Sequence, residues 1–557
     1  MATLASQPAA VTASAPVNIA AYLPLMASRR PDQPAVIFPK GGGAQLSFRQ
    51  LNEESDRCAH GLSRLGIGRG TRTVLMVRPG LEFFGLTFAL FKLGAVPVLI
   101  DPGMGKANLF ACLEEAHPEA FVGVSAAQAM RVLFPRAFRT VKCAITVGHR
   151  WFWGGPTLAR IREIAWREFP CAPTRADETA AILFTSGSTG SPKGVVYAHG
   201  MFDAQVRELR DYYGIKEGEA DLPAFPLFAL FSVAMGMTIV IPDMDPTRPA
   251  QADPAKFVAA VQQYRIQQSF GSPAIWDRVS RHCLERNVAL PSLQRVLMAG
   301  APVPPKVLER VQCILPPSAD AHTPYGATEA LPVSSITARE VLQETAALTR
   351  AGKGTCVGKV FPNITLRIIR ITDEAIPSWD DRLVLPRGEI GELVVKGPVV
   401  TRSYYEREQA TALAKIRDGE TWWHRMGDIG YLDDQDRIWY CGRKADRVQA
   451  AGGTLFSDPC EAIFNQHPDV FRSALVGIGP SGHQRPAIVI EPYPGKYPVN
   501  AGDAARFTEE LLRLGGASPV TAGITVVLFH RAFPVDVRHN VKISRDKLAV
   551  WAAEQLS

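Results

Sequence analysis

Residues 180–197 read AAILFTSGSTGSPKGVVY, in which two apolar runs flank a loop of glycine and hydroxyl residues. The apolar runs predict buried strands on either side of the loop. Glycine lets backbone N–H groups approach an anion, hydroxyls donate to phosphate oxygens, and Lys193 adds a positive charge. The stretch therefore predicts a phosphate-binding loop. Its candidate residues are Thr185, Ser186, Gly187, Ser188, Thr189, Gly190 and Lys193.

Two other interpretations of this loop are weaker. A Walker A loop ends in Gly-Lys-Ser/Thr after four intervening residues and leads directly into a helix, a pattern that this loop does not follow. A solvated Ser/Gly linker is the second alternative, but such linkers are rarely flanked by buried strands.

Outward from the loop, the pattern alternates strands and helices. Residues 47–65 and 81–93 are typical of helices, and 73–77 and 95–100 are typical of strands. The alternation recurs over 257–315. Repeated β and α units predict parallel sheets covered by helices, so the expected fold class is α/β.

The pattern of predicted elements changes after Gly354. Shorter strands with turn residues between them predict a β-rich subdomain. A turn at 433–436 precedes a further strand, and beyond Gly442 about 115 residues remain, enough for a small α+β domain. The 557 residues are therefore expected to form a large N-terminal α/β body, a β-rich subdomain and a small C-terminal domain.

Composition excludes several classes of protein. Hydrophobic residues make up 46% of the chain and charged residues 21%, which is the balance of a globular protein. Lys and Arg number 61 against 54 for Asp and Glu. Because no block of five or six like charges occurs, the net charge of +7 is interpreted as spread over a long chain, and nucleic-acid binding gains no support.

Cysteine usage and the N-terminus indicate the compartment. The nine cysteines form no C-x-x-C pair, so scattered thiols in a reducing compartment are expected, and the cytoplasm fits best. Residues 2–18 lack the basic and unbroken apolar regions of a signal peptide.

One stretch, residues 222–242, contains no charge over a length that could span a bilayer. However, Pro223 and Pro226 occupy its beginning, Gly236 interrupts it, and TIVIP ends it as a strand-like run. A loop, a short buried helix and a strand are predicted, rather than a transmembrane span.

The loop motif TSGSTGSPKG resembles the signature of the adenylate-forming superfamily, which includes acyl-CoA synthetases, luciferases and peptide-synthetase adenylation domains. Because further motifs match in the order of the family, the resemblance covers nearly the whole chain from about Leu46 and is more specific than any one motif. The matching segments are Ala299-Gly300-Ala301-Pro302, Tyr325-Gly326-Ala327-Thr328-Glu329, 391–405, Met426-Gly427-Asp428, Gly442-Arg443 and the lysine of Asn540-Val541-Lys542.

The resemblance implies a role for each matching residue. Glu329 is expected to hold magnesium, Thr328 to touch the AMP phosphate and Asp428 to accept hydrogen bonds from both ribose hydroxyls. ATP and Mg²⁺ are the implied cofactors. The expected catalytic residues are Lys542, Glu329 and Lys193, and the expected nucleotide-binding residues outside the loop are Gly300, Ala301, Pro302, Tyr325, Gly326, Thr328, Asp428 and Arg443.

The resemblance also implies a domain arrangement. Residues 1–18 form a flexible segment, 19–440 the adenylation domain, and 441–557 a mobile lid. The lid carries Lys542 and closes over the body about a hinge near 443–446.

Three departures from the family pattern concern the second half-reaction. Pro226-Leu227-Phe228-Ala229 lacks a histidine that often ends this segment, Ala445 replaces an aspartate of the hinge, and His539-Asn540-Val541 precedes the lysine where Ser-Gly is common. With YGATEALPVSS and RHNVKISR, they resemble the β-lactone-forming branch of bacterial long-chain olefin biosynthesis.

That branch implies a long-chain 2-alkyl-3-hydroxy fatty acid as substrate. Its 3-hydroxyl attacks the activated carbonyl, so no external thiol is required and the tethered nucleophile gains from proximity. Assembly with other enzymes of the olefin pathway is also implied. The uncharged stretch would then line an alkyl channel, with candidate pocket residues Phe225, Phe228, Ala229, Phe231 and Gly271.

Alternative functions stay open at this point. A medium- or long-chain acyl-CoA synthetase shares the first half-reaction, and a non-catalytic nucleotide-binding scaffold could use the same fold. Taken singly, Glu329 could cap a helix, Asp428 could turn the chain and Lys542 could be a solvated lysine. Their joint order argues against the scaffold. A G-x-G-x-x-G match at 477–482 lacks a following helix and predicts a turn, and His199 is interpreted as structural.

Overall fold

The computed structural model describes residues 15–185, 191–535 and 543–556. Within these ranges the strands form five sheets, of seven, eight, six, three and two strands. Five residues of the predicted phosphate-binding loop, 186–190, and the predicted catalytic Lys542 lie outside the described residues.

The phosphate-binding loop joins two strands of the six-stranded sheet, as predicted. Its strands pair in parallel except for the last pair, which is antiparallel and flanks the loop. In spatial order the strands are Cys143–Val147, Ala120–Val124, Arg72–Met76, Val96–Ile100, Thr179–Thr185 and Lys193–Ala198.

The seven-stranded sheet is also parallel apart from one antiparallel pair at its end. In spatial order its strands are Asp320–His322, Arg295–Met298, Gln268–Gly271, Ala220–Asp221, Thr238–Val240, Pro34–Phe38 and Ala44–Ser47. The α/β prediction is thereby confirmed.

Helices cover these two sheets. Helix Phe48–Arg64 begins where the sequence predicted, because Ser47 Oγ accepts from Gln50 N at 3.2 Å and Gln50 Oε1 accepts from Ser47 N at 2.9 Å, a reciprocal cap. The longer helices of the body are Tyr22–Arg29, Phe48–Arg64, Leu81–Leu93, Lys106–Ala116, Ser125–Leu133, His199–Tyr213, Pro226–Ala234, Pro254–Gln263, Pro273–Glu285 and Pro305–Ile314.

The eight-stranded sheet is the β-rich subdomain that the sequence predicted. Its strand Ile438–Arg443 runs through position 440, so Arg443 belongs to this sheet and lies opposite Asp428. Its strands are Tyr325–Ala327, Ala330–Ser335, Thr355–Val360, Ile438–Arg443, Thr421–Leu432, Gly391–Lys396 and Thr365–Ile369, with Lys415–Asp418 beside Thr421–Leu432.

The C-terminal unit is small and of α+β type, as predicted. The G-x-G-x-x-G match lies at the end of one strand and in the turn to the next, so it precedes no nucleotide-binding helix. The strands of this unit are Val448–Ala450, Gly453–Leu455, Val470–Ile478, Arg485–Pro492 and Val526–Phe529, and its helices are Ser457–Phe464, Ala501–Gly516 and Arg545–Leu556.

The uncharged stretch 222–242 folds as predicted. It forms a loop, the nine-residue helix Pro226–Ala234 and the short strand Thr238–Val240. Among the residues that the structure describes, none belongs to a helix with the length and apolar character needed to cross a membrane.

Candidate active site

A cavity of about 3190 Å³ collects residues from every part of the chain. It lies at the carboxyl ends of the strands of the parallel body, where ligands of α/β proteins usually bind. Its wall includes Phe228 from the body, Glu329 and Asp428 from the β-rich subdomain, and Arg545 from the C-terminal unit. The cavity has a polar side and an apolar side.

Asp428 anchors the polar side. Arg443 lies opposite it on the neighbouring strand and places Nη1 2.9 Å from Asp428 Oδ1. Tyr325 donates its hydroxyl to Asp428 Oδ2 at 2.5 Å. An ion pair and a hydrogen bond therefore hold a buried carboxylate in the cavity wall, and a carboxylate is the acceptor suited to the paired hydroxyls of a ribose.

The electrostatics of this trio keep Arg443 and Tyr325 each in one protonation state. Asp428 raises the pKa of Arg443 further above its ordinary value, so the guanidinium stays charged. Burial, reinforced by Asp428, raises the pKa of Tyr325 well above 10, so its hydroxyl stays a donor.

Glu329 is held in a second cluster. Tyr404 donates its hydroxyl to Glu329 Oε1 at 2.6 Å, and Lys193 Nζ lies 4.9 Å from the centroid of the Tyr404 ring. The backbone of Glu329 is fixed by Thr401, whose N and Oγ1 donate to its carbonyl at 2.9 and 3.0 Å. Tyr404 was missed as a site residue, although it lies in the matching segment 391–405.

A lysine lies behind this cluster and was not found from the sequence. Lys415 Nζ donates to Thr401 Oγ1 at 2.8 Å. Burial lowers the pKa of Lys415 to about 7, with the charge of Glu329 acting in the opposite direction. His424 lies opposite Lys415 in register, and burial together with Lys415 holds its pKa well below 6.5, so the imidazole is neutral.

The nucleotide-binding residues expected from segments 299–302 and 325–328 lie together in the cavity wall. Tyr197 stabilises this segment by donating its hydroxyl to Thr328 O at 2.5 Å. A Cβ at position 326 would approach Ala330 O at 2.8 Å, which explains glycine there. The residues brought together are Gly300, Ala301, Pro302, Tyr325, Gly326 and Thr328.

The two strands that flank the phosphate-binding loop are paired, and the second lies beside the Tyr404 segment. Thr185 and Lys193 are partners in the antiparallel register, and Tyr405 N donates to Gly194 O at 2.7 Å. The strand that follows the loop is therefore anchored next to the segment that carries Tyr404. The roles of residues 186–190 and of Lys542 stay predictions, since these residues lie outside the described ranges.

The helix Pro226–Ala234, hereafter the acyl helix, forms the apolar side. Phe228 stacks on Phe270 with ring centroids 4.3 Å apart, and Phe225 packs edge-on against Phe270 at 5.7 Å. Phe225, Phe228, Ala229 and Phe231 all line the cavity, as predicted.

Gly271 is the exception among the predicted pocket residues. It does not line the cavity, and a Cβ at this position would lie 3.3 Å from Trp276 Nε1. Successive residues of a strand face opposite sides of a sheet, so the neighbour Phe270 takes the place in the wall.

The predicted hinge is tied to the C-terminal unit. Arg545 binds Glu461 through Nη2 at 2.7 Å and reaches Asp446 through Nη1 at 3.4 Å. On the body side, Lys444 Nζ lies 3.2 Å from Glu392 Oε1. The residues on either side of Ala445 are thus held by different parts of the chain.

The AMP-binding enzyme family matches residues 25–405, which include the phosphate-binding loop, Glu329 and the Tyr404 segment. The chain belongs to this family. The match covers more than half of the chain, and residues beyond it supply Asp428 and Arg443.

Two relatives are similar over nearly the full length. The olefin beta-lactone synthetase of Xanthomonas campestris pv. campestris is 50% identical over 552 residues, 97% of this chain and 98% of the relative. The olefin beta-lactone synthetase of Stenotrophomonas maltophilia is 49% identical over 559 residues, 97% of this chain and 99% of the relative.

Solved structures share the fold at lower identity. The amide bond synthetase McbA from Marinactinospora thermotolerans superposes with a TM-score of 0.77 at 22% identity, covering 96% of this chain and 99% of that one. The O-succinylbenzoate coenzyme A synthetase of Bacillus subtilis, solved with ATP and magnesium ion, gives a TM-score of 0.73 at 21% identity, with coverage of 95% and 98%. These likenesses establish the adenylate-forming fold.

The residues around Glu329 have the chemistry needed to bind a nucleotide together with Mg²⁺. Among the described residues, no cluster of three or more His, Cys, Asp or Glu could hold a metal by itself. Mg²⁺ usually binds through one or two carboxylates together with substrate phosphates, rather than in an all-protein cage. A single oriented carboxylate, Glu329, beside the cation Lys193 meets that requirement.

Proposed function

We propose that the protein activates a long-chain 2-alkyl-3-hydroxy fatty acid as its acyl adenylate and then closes the β-lactone. The observation that carries the proposal is near-full-length identity of 50% to an olefin beta-lactone synthetase. The joining of a nucleotide-type polar wall to an aromatic apolar wall in one cavity supports the same reaction.

In the first half-reaction, an oxygen of the substrate carboxylate attacks the α-phosphorus of ATP, and pyrophosphate leaves. Asp428, held by Tyr325 and Arg443, orients the ribose. Lys193 and the phosphate-binding loop offset the charge that two approaching anions bring together. Lys542, supplied by the C-terminal unit, bridges the carboxylate and the α-phosphate.

Glu329 would hold Mg²⁺, and the ion, when bound, supplies charge stabilisation to the phosphates. Tyr404 contributes by fixing the rotamer of Glu329 through the 2.6 Å hydrogen bond. Burial, followed by the charge of Glu329, raises the pKa of Tyr404, so its hydroxyl remains a donor over the working pH range.

In the second half-reaction, the 3-hydroxyl oxygen attacks the carbonyl carbon of the adenylate. A C–O bond forms, the hydroxyl proton is lost to a base, the bond to AMP breaks, and AMP leaves. The ring is strained, so the energy of the mixed anhydride drives closure. Phe228, stacked on Phe270, keeps the reacting end in an apolar wall, which disfavours hydrolysis of the anhydride.

An internal acceptor suits this site better than a thiol. Ala229 stands where the related thiol-using segment often has a histidine, and Ala229 is a buried residue of the acyl helix in the cavity wall. The hinge carries Ala445, and its remaining Asp446 is within ion-pair distance of Arg545. The missing histidine and the altered hinge both argue against entry of the coenzyme A thiol into the site.

The deciding experiment incubates the protein with ATP, Mg²⁺ and a 2-alkyl-3-hydroxy acid, with and without coenzyme A. We expect AMP, pyrophosphate and a β-lactone in both mixtures. A thioester without lactone would assign the protein to the acyl-CoA synthetases instead. Failure to exchange pyrophosphate with ATP in the presence of the acid would remove both activities and leave a nucleotide-binding scaffold.

Substitution of the predicted catalytic lysine gives a further prediction. Lys542→Ala should lose adenylation by about a hundredfold or more while still binding ATP, because the bridge between carboxylate and α-phosphate forms mainly in the transition state. Pyrophosphate exchange and equilibrium binding of ATP measure the two quantities. Wild-type exchange in this variant would refute the role.

The remaining expectations are part of the same proposal. Residues 19–440 would act as the adenylation domain and 441–557 as its lid, and most of the predicted flexible segment 1–18 lies outside the described residues. The nine free cysteines, all within the described part of the chain, favour a reducing compartment such as the cytoplasm. An enzyme that consumes the lactone is a plausible partner, since a strained ring is a reactive product.

A further inference from the structure

The positive charge of the chain is concentrated, which corrects the expectation that it is spread out. Residues 120–162 contain seven Lys and Arg and no Asp or Glu. The rest of the chain contains 54 residues of each sign, so this segment carries the whole net charge of +7. The seven cations are separated by apolar residues, which is why a search for runs of like charge did not find them. They are Arg131, Arg136, Arg139, Lys142, Arg150, Arg160 and Arg162.

The segment forms one edge of the six-stranded sheet. Strand Cys143–Val147 is the outermost strand, and helix Ser125–Leu133 and the loop 148–157 pack beside it. Gln128 Nε2 donates to Ile145 O at 2.8 Å, and Ser125 Oγ donates to His149 O. Helix, strand and loop are therefore held together, and the whole segment 120–162 is hereafter called the basic aromatic edge.

Large apolar side chains stand exposed on this edge. Phe152 is 79% exposed, Leu133 72%, Trp151 58% and Phe134 47%. Trp151 and Phe152 pack against Trp153, with ring centroids 5.5 and 5.3 Å away. Trp153 is buried and donates from Nε1 to Thr146 Oγ1 at 2.9 Å. The exposed rings therefore pack against a side chain whose position is fixed.

Most of the charge on the edge is not compensated locally. Arg162 pairs with Glu54 at 2.7 Å, Arg136 with Glu114 at 3.4 Å and Lys142 with Glu119 at 4.0 Å. Over the described residues, no carboxylate lies within 4.0 Å of a further four arginines of the edge. These four are Arg131, Arg139, Arg150 and Arg160.

We propose that the basic aromatic edge docks the protein onto the surface of an anionic lipid bilayer. Tryptophan and phenylalanine settle at the level of the headgroups, and each arginine near an anionic surface adds electrostatic attraction. Exposed aliphatic Leu133 favours lipid over nucleic acid, because bases stack on aromatic rings and gain little from a leucine.

The edge adjoins the cavity, which gives docking a consequence. Ala126, Ala127 and Met130 of helix Ser125–Leu133 line the cavity that contains the acyl helix. The same helix carries the half-buried Arg131 and the exposed Leu133. A lipid-like substrate leaving a bilayer at this edge would therefore meet the cavity wall across a single helix. The docking proposal stands independently of which acid is activated.

Flotation with lipid vesicles tests the proposal on the full chain. We expect binding to vesicles that contain phosphatidylglycerol and much weaker binding to pure phosphatidylcholine, with a loss on raising salt from about 0.05 to about 0.5 M. The triple variant Arg139→Gln/Arg150→Gln/Arg160→Gln should lower the partition coefficient by about a hundredfold. Trp151→Ser/Phe152→Ser should lower it by about tenfold or more.

Matched controls lie in the C-terminal unit. Val499→Ser removes an apolar side chain that is 85% exposed, and Arg506→Gln removes an exposed arginine. Both should bind vesicles as the wild type does. Unchanged thermal melting of every variant would exclude misfolding as the cause of lost binding.

Three outcomes would overturn the proposal. Equal loss of binding in the controls would show attraction by overall charge. Tight binding of single-stranded DNA that falls with both sets of edge substitutions would assign the edge to nucleic acid. Concentration-dependent self-association that is abolished by Trp151→Ser/Phe152→Ser, without vesicle binding, would assign it to a second copy of the chain.

Discussion

The polar and apolar sides of the cavity are built in different ways. On the polar side, Asp428 and Glu329 are each held by hydrogen bonds from a named donor, at 2.5 Å from Tyr325 and 2.6 Å from Tyr404. On the apolar side, Phe228 and Phe270 are held by ring stacking at 4.3 Å. Hydrogen bonds specify an atom, whereas stacking specifies only shape and area.

The difference teaches where specificity for chemistry and specificity for substrate reside. An isosteric change on the polar side removes a charge that nothing else can supply, so it should affect the rate severely. A change on the apolar side alters the volume available to an alkyl chain, so it should shift preference among substrates and leave the nucleotide chemistry intact.

The largest effect is expected at Glu329. Glu329→Gln keeps the shape and the contact with Tyr404 but removes the charge beside the phosphates, so pyrophosphate exchange should fall by about a thousandfold. Glu344→Gln, an exposed carboxylate paired with Arg437, is the control and should exchange as the wild type does. Full activity of Glu329→Gln would contradict the proposal that Glu329 holds Mg²⁺.

A smaller effect is expected at the ribose. Asp428→Asn leaves Arg443 without its countercharge and weakens two hydrogen bonds to ribose, so the KM for ATP should rise by about a hundredfold. Steady-state kinetics with ATP as the varied substrate measures it. Asp436→Asn, in an exposed turn beside Arg387, should leave the KM for ATP unchanged. An equal rise in both variants would contradict a specific role for Asp428.

A substitution on the apolar side should change the preference among acid substrates rather than the rate of the nucleotide chemistry. Phe228→Ala removes a ring stacked on Phe270 and enlarges the alkyl space, so the ratio of kcat/KM for a bulkier over a shorter acid should rise by about tenfold. The KM for ATP should stay within twofold of the wild type. Tyr493→Ala, an exposed aromatic residue of the C-terminal unit that does not line the cavity, provides the control. A rise in the KM for ATP would show that the two sides are not separate.

The smallest effect is a dependence of stability on pH. The pKa of Lys415 is lowered to about 7 in the folded chain, against about 10.4 in an unfolded one. Between these values the unfolded chain holds the proton and the folded chain does not, so the contribution of Lys415 makes the protein more stable as pH rises from 7 to 10.

Lys415→Met should therefore raise the melting temperature at pH 6 by a few degrees, and the gain should shrink toward pH 10. Thermal melting across this pH range measures both. Lys547→Met, an exposed lysine of the last helix, should show neither change. A gain that is the same at all pH values would mean that packing, rather than the buried charge, is responsible.

The ordered motifs were enough to predict the fold and the polar side. Nucleotide chemistry requires particular residue types, so Glu329, Asp428, Arg443 and the nucleotide-binding segment 325–328 could be named from the sequence. The acyl helix was also predicted, because a charge-free stretch broken by prolines has few alternatives.

Other site residues could not be predicted from the sequence, for physical reasons. Tyr404 and Lys415 act through hydrogen bonds to residues 75 and 14 positions away, and no local pattern encodes such distances. Gly271 was misplaced because the sequence does not say which face of its strand meets the cavity. The basic aromatic edge was not predicted because its cations are scattered along 43 residues and form no run of like charge.

The sequence by itself determined the family, the α/β order of elements and the chemical types that meet the nucleotide, because these depend on residue identity and on local periodicity. Only the tertiary structure decided which strand face meets the cavity, which tyrosines hold Glu329 and Asp428, and that seven dispersed cations occupy one sheet edge. Those properties depend on long-range strand register and packing, which bring distant residues within a few ångströms of one another.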